Sequence, residues 1–287
     1  MTPVMERAVA AVAAVALGAL LVLTGAASAL ALLVGVAVLQ AVVALCWVFG
    51  AQLPGRWGAL LIGAMAAIAA DVCVCVWPGS RLGTLLAVVG LAVPMLFVHQ
   101  LARGAARHRI VASLGGTAAL VIFVVAPAAL IQLRHEFTGT YTDTDGTSGA
   151  RVVAVVCAIA GAALLIGYAL DALAPAPRFD PDVPRGLLGV VGATGLGGSL
   201  GYLALQSAAH SDFAHGRGPI VGVVIGALTG LLAVAATFGA HSVPRAGKDA
   251  AAVPAAFARW SRVVATVAVP LAVVSPVSFL VCLAARV

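Results

Sequence analysis

The chain has 287 residues, of which 63% are hydrophobic and only 9% are charged, and its mean hydropathy is +1.14. Soluble globular domains carry about a quarter charged residues, so the composition excludes a soluble domain and indicates an integral membrane protein. The net charge of +6 comes from basic residues that lie singly between apolar runs, which excludes the clustered basic face of a nucleic-acid-binding protein.

Charged or Gly/Pro-rich breaks divide the chain into nine apolar stretches, and roughly 20 such residues cross the hydrocarbon core as a helix. They lie near residues 7–25, 29–50, 59–77, 84–102, 110–132, 152–173, 186–208, 219–240 and 263–285. The break at 24–28 is required because residues 8–51 contain no charge, and a continuous helix of that length would reach about 66 Å. The sequence predicts an all-α, polytopic transmembrane bundle of nine spans, forming a single membrane domain over 1–287.

The end of the first span also has features of a cleavage site. Residues 27–29, ASA, resemble a signal-peptidase site after an Arg7-bearing start and an apolar core. No soluble domain follows, so we expect this segment to remain as the first span. Cleavage would leave the orientation of the other spans unchanged.

The basic residues predict the orientation, because cytoplasmic loops of membrane proteins are enriched in Arg and Lys. With a cytoplasmic N-terminus, the outer segments hold only five of the 16 basic residues. These five are Arg81, Arg134, Arg151, Arg217 and Arg286. The Ala/Gly abundance and the preference for Arg over Lys indicate a GC-rich genome, and we therefore predict a multi-pass protein of the bacterial cytoplasmic (plasma) membrane.

A cytoplasmic segment, residues 251–264, has the pattern of a helix at the membrane surface. One side of that helix would carry Val253, Phe257, Trp260 and Val264, with the Arg residues off this stripe. Trp at headgroup level and Arg facing anionic lipid are typical of an amphipathic interfacial helix. An ordinary connecting loop is the alternative.

Glycine spacing is the sharpest pattern in the sequence. The eighth span carries a glycine at every fourth position: Gly218, Gly222, Gly226 and Gly230. Such a strip lets another helix approach closely, which is how helices associate where lipid removes the hydrophobic driving force. The seventh span has a glycine at every third position and a small-xxx-small pair, Gly197 with Gly201. We predict a tightly packed hairpin of these two spans. The alternative is that the slim, Gly-rich helices bend as hinges or line a transport path, as interrupted helices do in transporters.

Two acidic side chains lie inside the predicted spans, Asp71 and Asp171. Ionisable groups within a membrane are costly and mark functional sites by default. We expect Asp171, at the cytoplasmic end of the sixth span, to be solvated or paired with Arg178. Asp71 lies six residues before Trp77, about 9 Å along the helix from the outer boundary. It needs a partner, a proton or a water-filled pocket, and the sequence leaves open whether its role is functional or structural.

Further polar residues near the outer surface complete a candidate polar pocket around Asp71. These are Tyr202, Gln206, His210, Asp212, His215 and Arg217. Their spacing matches no metal signature, and no catalytic or nucleotide-binding motif appears. We therefore assign no metal, no cofactor and no catalytic residue, and interpret the five cysteines, which lie in apolar segments without CxxC spacing, as small apolar fillers.

Residues 241–254 carry a family resemblance. The segment HSVPRAGKDAAAVP resembles the C-terminal signature of the phosphatidate cytidylyltransferase family through Ser242, Arg245, Lys248, Asp249 and Pro254. This resemblance implies a membrane enzyme acting on a lipid. The acidic pair that would bind metal in that family is absent, and ARWSRVV stands in its place. As a whole the chain is similar to uncharacterised Ala/Gly-rich polytopic membrane proteins of GC-rich bacteria, which implies no activity.

These patterns favour a transporter-like or lipid-handling protein with an outward-facing polar pocket around Asp71. The alternative is a non-catalytic membrane subunit or assembly partner whose Gly-rich helices dock another protein. An enzyme acting on a lipid-linked substrate comes third, because no clustered acid-base or metal-binding set is visible. The expected partners are membrane lipids and, under the alternative, a membrane protein, but no nucleic acid.

Overall fold

The computed structural model describes residues 3–104, 109–138, 148–174, 176–179, 185–206, 216–242 and 254–286. Within these ranges the chain is almost entirely helical and forms no β-strand. Nine of its helical segments are long and apolar enough to cross a membrane. The predicted all-α polytopic bundle is therefore confirmed for the described part of the chain.

The helices follow the predicted spans closely, except that the fifth span consists of two helices. Their bounds are α1 (Pro3–Ala27), α2 (Ala29–Gly50), α3 (Arg56–Val76), α4 (Gly83–Ala102), α5 (Ile110–Val125), α6 (Ala128–Phe137), α7 (Ser148–Leu173), α8 (Leu187–Gly201), α9 (Arg217–Ser242) and α10 (Ala255–Arg286). A 3₁₀ turn, Pro78–Ser80, follows α3, and a π-helical turn, Tyr202–Gln206, follows α8.

A single capping residue separates the first two spans. Ser28 has an extended backbone, and its hydroxyl accepts a hydrogen bond from the Ala31 N–H at 3.0 Å. Serine at this position satisfies an N–H that the first turn of a helix leaves without a backbone acceptor. The charge-free run is thus divided between α1 and α2 at the predicted break.

The fifth span is discontinuous at Pro127. Proline has no N–H, so one bond of the helical ladder is missing there, and the Ala129 and Leu130 N–H groups bond to carbonyls three residues earlier at 3.1 and 3.0 Å. The following helix, α6, is buried from Ala128 to Leu133 and packs against α2, α3, α7 and α10. Prolines within α4 and α10 do not interrupt those helices.

The tenth helix occupies the centre of the bundle. It packs mainly against α1, α2 and α9, and it also contacts α5, α6 and α7. The α8–α9 hairpin packs on α7 and α10, whereas α3 packs against α2, α4, α5 and α6. The hairpin and α3 therefore have different neighbours.

Residues 255–264 of the predicted surface helix form the first turns of α10. With 32 residues, α10 is about 48 Å long, which exceeds the roughly 30 Å hydrocarbon core. No helix breaker lies between Ala255 and Pro270, so the interfacial turns and the span form one helix. Phe257 and Trp260 are exposed on its first turns, and Val253 lies outside the described residues.

The alternation of spans yields a test of the orientation. Ser80 and Ala255 are both exposed and lie at opposite ends of the bundle. With a cytoplasmic N-terminus, Ser80→Cys should react with a membrane-impermeant maleimide in intact cells, and Ala255→Cys only after permeabilisation. Labelling is measured by mass shift against the unsubstituted chain, and the reverse pattern would show the opposite orientation.

Candidate functional site

A buried hydrogen bond joins α2 to α3 inside the membrane-spanning part of the bundle. Gln40 Nε2 donates to Asp71 Oδ1 at 2.9 Å, and the two residues are 4% and 9% exposed. Gln40 shares the buried face of α2 with Val36 and Val43. Asp71 shares the buried face of α3 with Val74. The helical spacing of three or four residues thus turns both polar side chains inward among apolar ones.

The partner of Asp71 is neutral. Among the described residues, the ion pairs involve other acids, and no Arg, Lys or His side chain is paired with Asp71. A carboxylate without a counter-charge is costly in apolar surroundings. The Gln40 side chain offers both an amide donor and a carbonyl acceptor, so the pair places a carboxyl group and a neutral amide in contact between two helices.

Of the outer polar residues of the predicted pocket, the structure describes Tyr202 and Arg217, and neither lies beside Asp71. Tyr202 is exposed in the π-helical turn, which packs against α7, α8 and α9 rather than α3. Arg217 Nη1 donates to the Ala284 carbonyl of α10 at 3.0 Å. The remaining members, His210, Asp212 and His215 together with the Gln206 side chain, lie outside the described residues. Asp71 has Gln40 as its partner because α2 is a neighbour of α3 and the α8–α9 hairpin is not.

A second buried polar cluster lies at the predicted cytoplasmic ends of α7 and α8. Arg185 Nη1 is 3.1 Å from Asp171 Oδ2, and both side chains are 4% exposed. The Gly186 N–H, just before α8, donates to Asp171 Oδ1 at 3.0 Å. The expectation that Asp171 is solvated or paired with Arg178 was therefore wrong, because the loop folds back and brings Arg185 over it.

This cluster extends from α7 to α10 through an aromatic ring. The guanidinium carbon of Arg185 lies 3.6 Å from the centroid of the Tyr168 ring, a cation–π contact. The Tyr168 hydroxyl is 2.8 Å from Thr266 Oγ1 on α10. A Cβ at Gly189 would lie 2.6 Å from each Asp171 carboxylate oxygen, so this glycine leaves room for the ion pair. Sequence reasoning missed the cluster, although the acid, the arginine and the glycine are close along the chain.

The glycines of α8 and α9 lie at the contact between these two helices. A Cβ at Gly197 would be 3.0 Å from Gly226 Cα and would overlap the Gly222 carbonyl. A Cβ at Gly201 would be 3.0 Å from Gly222 Cα and would overlap the Gly218 carbonyl. Farther along the same face, Gly230 lies against α8. The glycine strip is thus buried within the hairpin, and this face is not available to a partner protein.

No group of three or more His, Cys, Asp or Glu that could hold a metal occurs in the part of the chain that the structure describes. The chain matches no protein-family model, no curated protein and no solved structure. The resemblance of residues 241–254 to phosphatidate cytidylyltransferases stays a prediction. Of its matching residues only Ser242 and Pro254 are described, and they lie at the end of α9 and just before α10.

Glycine replacement tests the hairpin. Gly222→Leu should lower the free energy of unfolding by at least about 1–3 kcal/mol, because the new side chain overlaps α8 backbone that has no room to move. The measurement is the melting temperature of the purified chain in detergent. Gly195→Leu is the matched control on α8, because a Cβ there meets no atom within 4 Å. Equal losses in the two variants would contradict the assigned contact.

The buried ion pair gives a second stability test. Arg185→Met should lower the free energy of unfolding by about 3–5 kcal/mol, because it leaves the Asp171 carboxylate buried without a counter-charge. Thermal unfolding of the single variants is compared with that of the double variant Asp171→Asn/Arg185→Met. The double variant should recover most of the loss, whereas simple addition of the two losses would show that the residues are not coupled.

Proposed function

We propose that the protein is a transporter-like protein of the bacterial cytoplasmic membrane in which the Gln40–Asp71 pair binds a proton or a monovalent cation. The observation that carries the proposal is the 2.9 Å hydrogen bond between a buried carboxyl group and a buried neutral amide on different helices. Acids that face the interior of a helical bundle commonly serve proton relays and ion pathways.

The contrast between the two buried acids supports this assignment. The charge of Asp171 is balanced by Arg185 and by a backbone N–H, which suits a permanent structural carboxylate. Asp71 has only an amide as its described hydrogen-bond partner. A change of proton or cation occupancy at Asp71 would therefore change the interaction between α2 and α3.

The second part of the fifth span contacts the two helices that carry this pair. The helix that follows Pro127, α6, packs against both α2 and α3, the two helices that carry Gln40 and Asp71. Proline-interrupted helices near a binding group are a recurring feature of secondary transporters. The proline in this neighbouring span therefore favours a transport role.

The alternative, a non-catalytic subunit, is less well supported. The glycine strip that predicted a docking face is occupied by the α8–α9 contact, so a partner protein would have to use another surface. An enzyme on a lipid-linked substrate would need clustered acid-base or metal-binding groups, and the two buried acids of the described chain are each held in separate contacts.

Carbodiimide labelling tests the ion site without knowledge of the substrate. Dicyclohexylcarbodiimide reacts with protonated carboxyl groups in apolar surroundings, so it should modify Asp71 in the purified chain. Raising the pH should reduce the labelling if the site binds protons, and adding Na⁺ or K⁺ at constant pH should reduce it if the site binds cations. The modified peptide is identified by mass spectrometry.

Asp171 is the internal control, because its ion pair with Arg185 should keep it unmodified. Transport itself is tested by the currents that gradients of amino acids, sugars and inorganic ions evoke in proteoliposomes. Asp71→Asn should abolish any such current at unchanged protein abundance. Labelling of Asp71 that responds to neither pH nor cations, or a current that survives the substitution, would contradict the proposal.

A further inference from the structure

A groove opens between α2, α9 and α10 at the end of the bundle that the Arg and Lys distribution places in the cytoplasm. It is a shallow, open groove, and its empty space of about 310 Å³ includes space that is open to the surroundings. Trp47 and Gly50 of α2, Gly239 of α9, and Ala265 of α10 contribute to its apolar wall, and Arg262 of α10 is the charged residue in its lining.

Small residues create this groove. Gly50 contacts α10 directly, since a Cβ there would lie 2.9 Å from the Arg262 N and 3.0 Å from its Cα. Across the groove, a Cβ at Gly239 would meet no atom within 4 Å. The helices α2 and α10 are therefore in close contact, while the space in front of Gly239 is open.

Arg262 carries an unused hydrogen-bond donor at this groove. Its Nε is buried and has no hydrogen-bond partner among the described residues. A buried N–H of a charged group is costly unless an acceptor satisfies it, and a phosphate oxygen is a strong acceptor for a guanidinium. The charge and the orphaned donor together favour an anionic ligand over a neutral one.

Aromatic side chains place the groove near the membrane boundary. The Phe49 ring lies 5.4 Å from Phe257 and 6.4 Å from Trp57, measured between centroids, and Trp57 and Trp260 are exposed. Aromatic residues are enriched at headgroup level. A groove that is apolar along its wall and cationic at this level matches a lipid with an acyl chain and a phosphate.

We propose that this groove binds one anionic phospholipid of the phosphatidylglycerol type. Its phosphate accepts hydrogen bonds from Arg262, and one acyl chain lies along the apolar wall in front of Gly239. Basic pockets between transmembrane helices on the cytoplasmic side are recognised sites for anionic headgroups. This site is separate from the Gln40–Asp71 pair, and its test does not depend on transport.

The test uses the full chain, delipidated in detergent and titrated with dioleoyl phosphatidylglycerol or dioleoyl phosphatidylcholine. Native mass spectrometry counts the bound lipid. The unsubstituted chain should retain one phosphatidylglycerol in preference to phosphatidylcholine. Arg262→Gln removes the charge and Gly239→Leu fills the groove, and each should weaken phosphatidylglycerol binding about tenfold or more, the scale of one lost charge-assisted hydrogen bond.

Two matched controls separate the site from general effects. Arg259→Gln removes an exposed charge one turn earlier on α10, and Gly90→Leu adds the same side chain on α4, where a Cβ also meets no atom within 4 Å. Both should bind phosphatidylglycerol as the unsubstituted chain does. Equal affinity for the two lipids, retained binding in either groove variant, or equal loss in either control would overturn the proposal.

If the groove variants aggregate, a second measurement tests lipid binding in the groove without them. Trp47 lines the groove, so its fluorescence should be quenched by brominated phosphatidylglycerol more strongly than by brominated phosphatidylcholine. The readout is isolated by replacing Trp57, Trp77 and Trp260 with Phe. Equal quenching of Trp47 by the two brominated lipids would overturn the proposal without reference to the groove variants.

Discussion

Close contact between helix backbones is the constraint on which this bundle depends. A bilayer removes the hydrophobic driving force between helices, so association rests on van der Waals packing and interhelical hydrogen bonds. Glycine provides the closest approach in three separate places. Besides the α8–α9 hairpin, Gly18 of α1 meets Gly161 of α7, each Cβ position lying 3.2 Å from the other Cα. Gly50 of α2 rests on the backbone of α10. These contacts join three helix pairs, α8 with α9, α1 with α7 and α2 with α10, and packing of α7 on α8 and of α9 on α10 connects the pairs.

Within this frame the two buried acids have opposite surroundings. Asp171 is held by an arginine and a backbone N–H, and the arginine is stacked on Tyr168. That cluster joins α7, the start of α8 and, through the Tyr168 hydroxyl, α10. Asp71 has one neutral partner, Gln40. The Asp171 carboxylate has a counter-charge, although the Nε and Nη2 of Arg185 are buried without a hydrogen-bond partner. One aspartate, Asp171, thus stabilises the contact between helices, whereas the other, Asp71, with its neutral partner, is proposed to exchange a proton or a cation.

The second helix connects the two proposed sites. It contributes Gln40 to the contact with α3, and ten residues later it contributes Gly50 to the groove with α10. Ten helical residues extend over about 15 Å, so the ion site and the lipid groove lie at different depths along one rigid element. The broken fifth span contacts the same helix through α6. The chemistry inferred for this protein from the described residues is therefore concentrated around α2.

The number of spans, their approximate limits and the pairing of the glycine-rich hairpin were predictable from the sequence, because hydropathy, helix length and glycine spacing are local properties. Three features depended on tertiary structure: the Gln40–Asp71 bond, the Asp171–Arg185 pair and the groove at Arg262. Each requires knowing which faces of which helices meet. In a soluble helix the apolar stripe identifies the buried face, but these helices are apolar on the lipid side as well, so their sequences do not mark the inward direction.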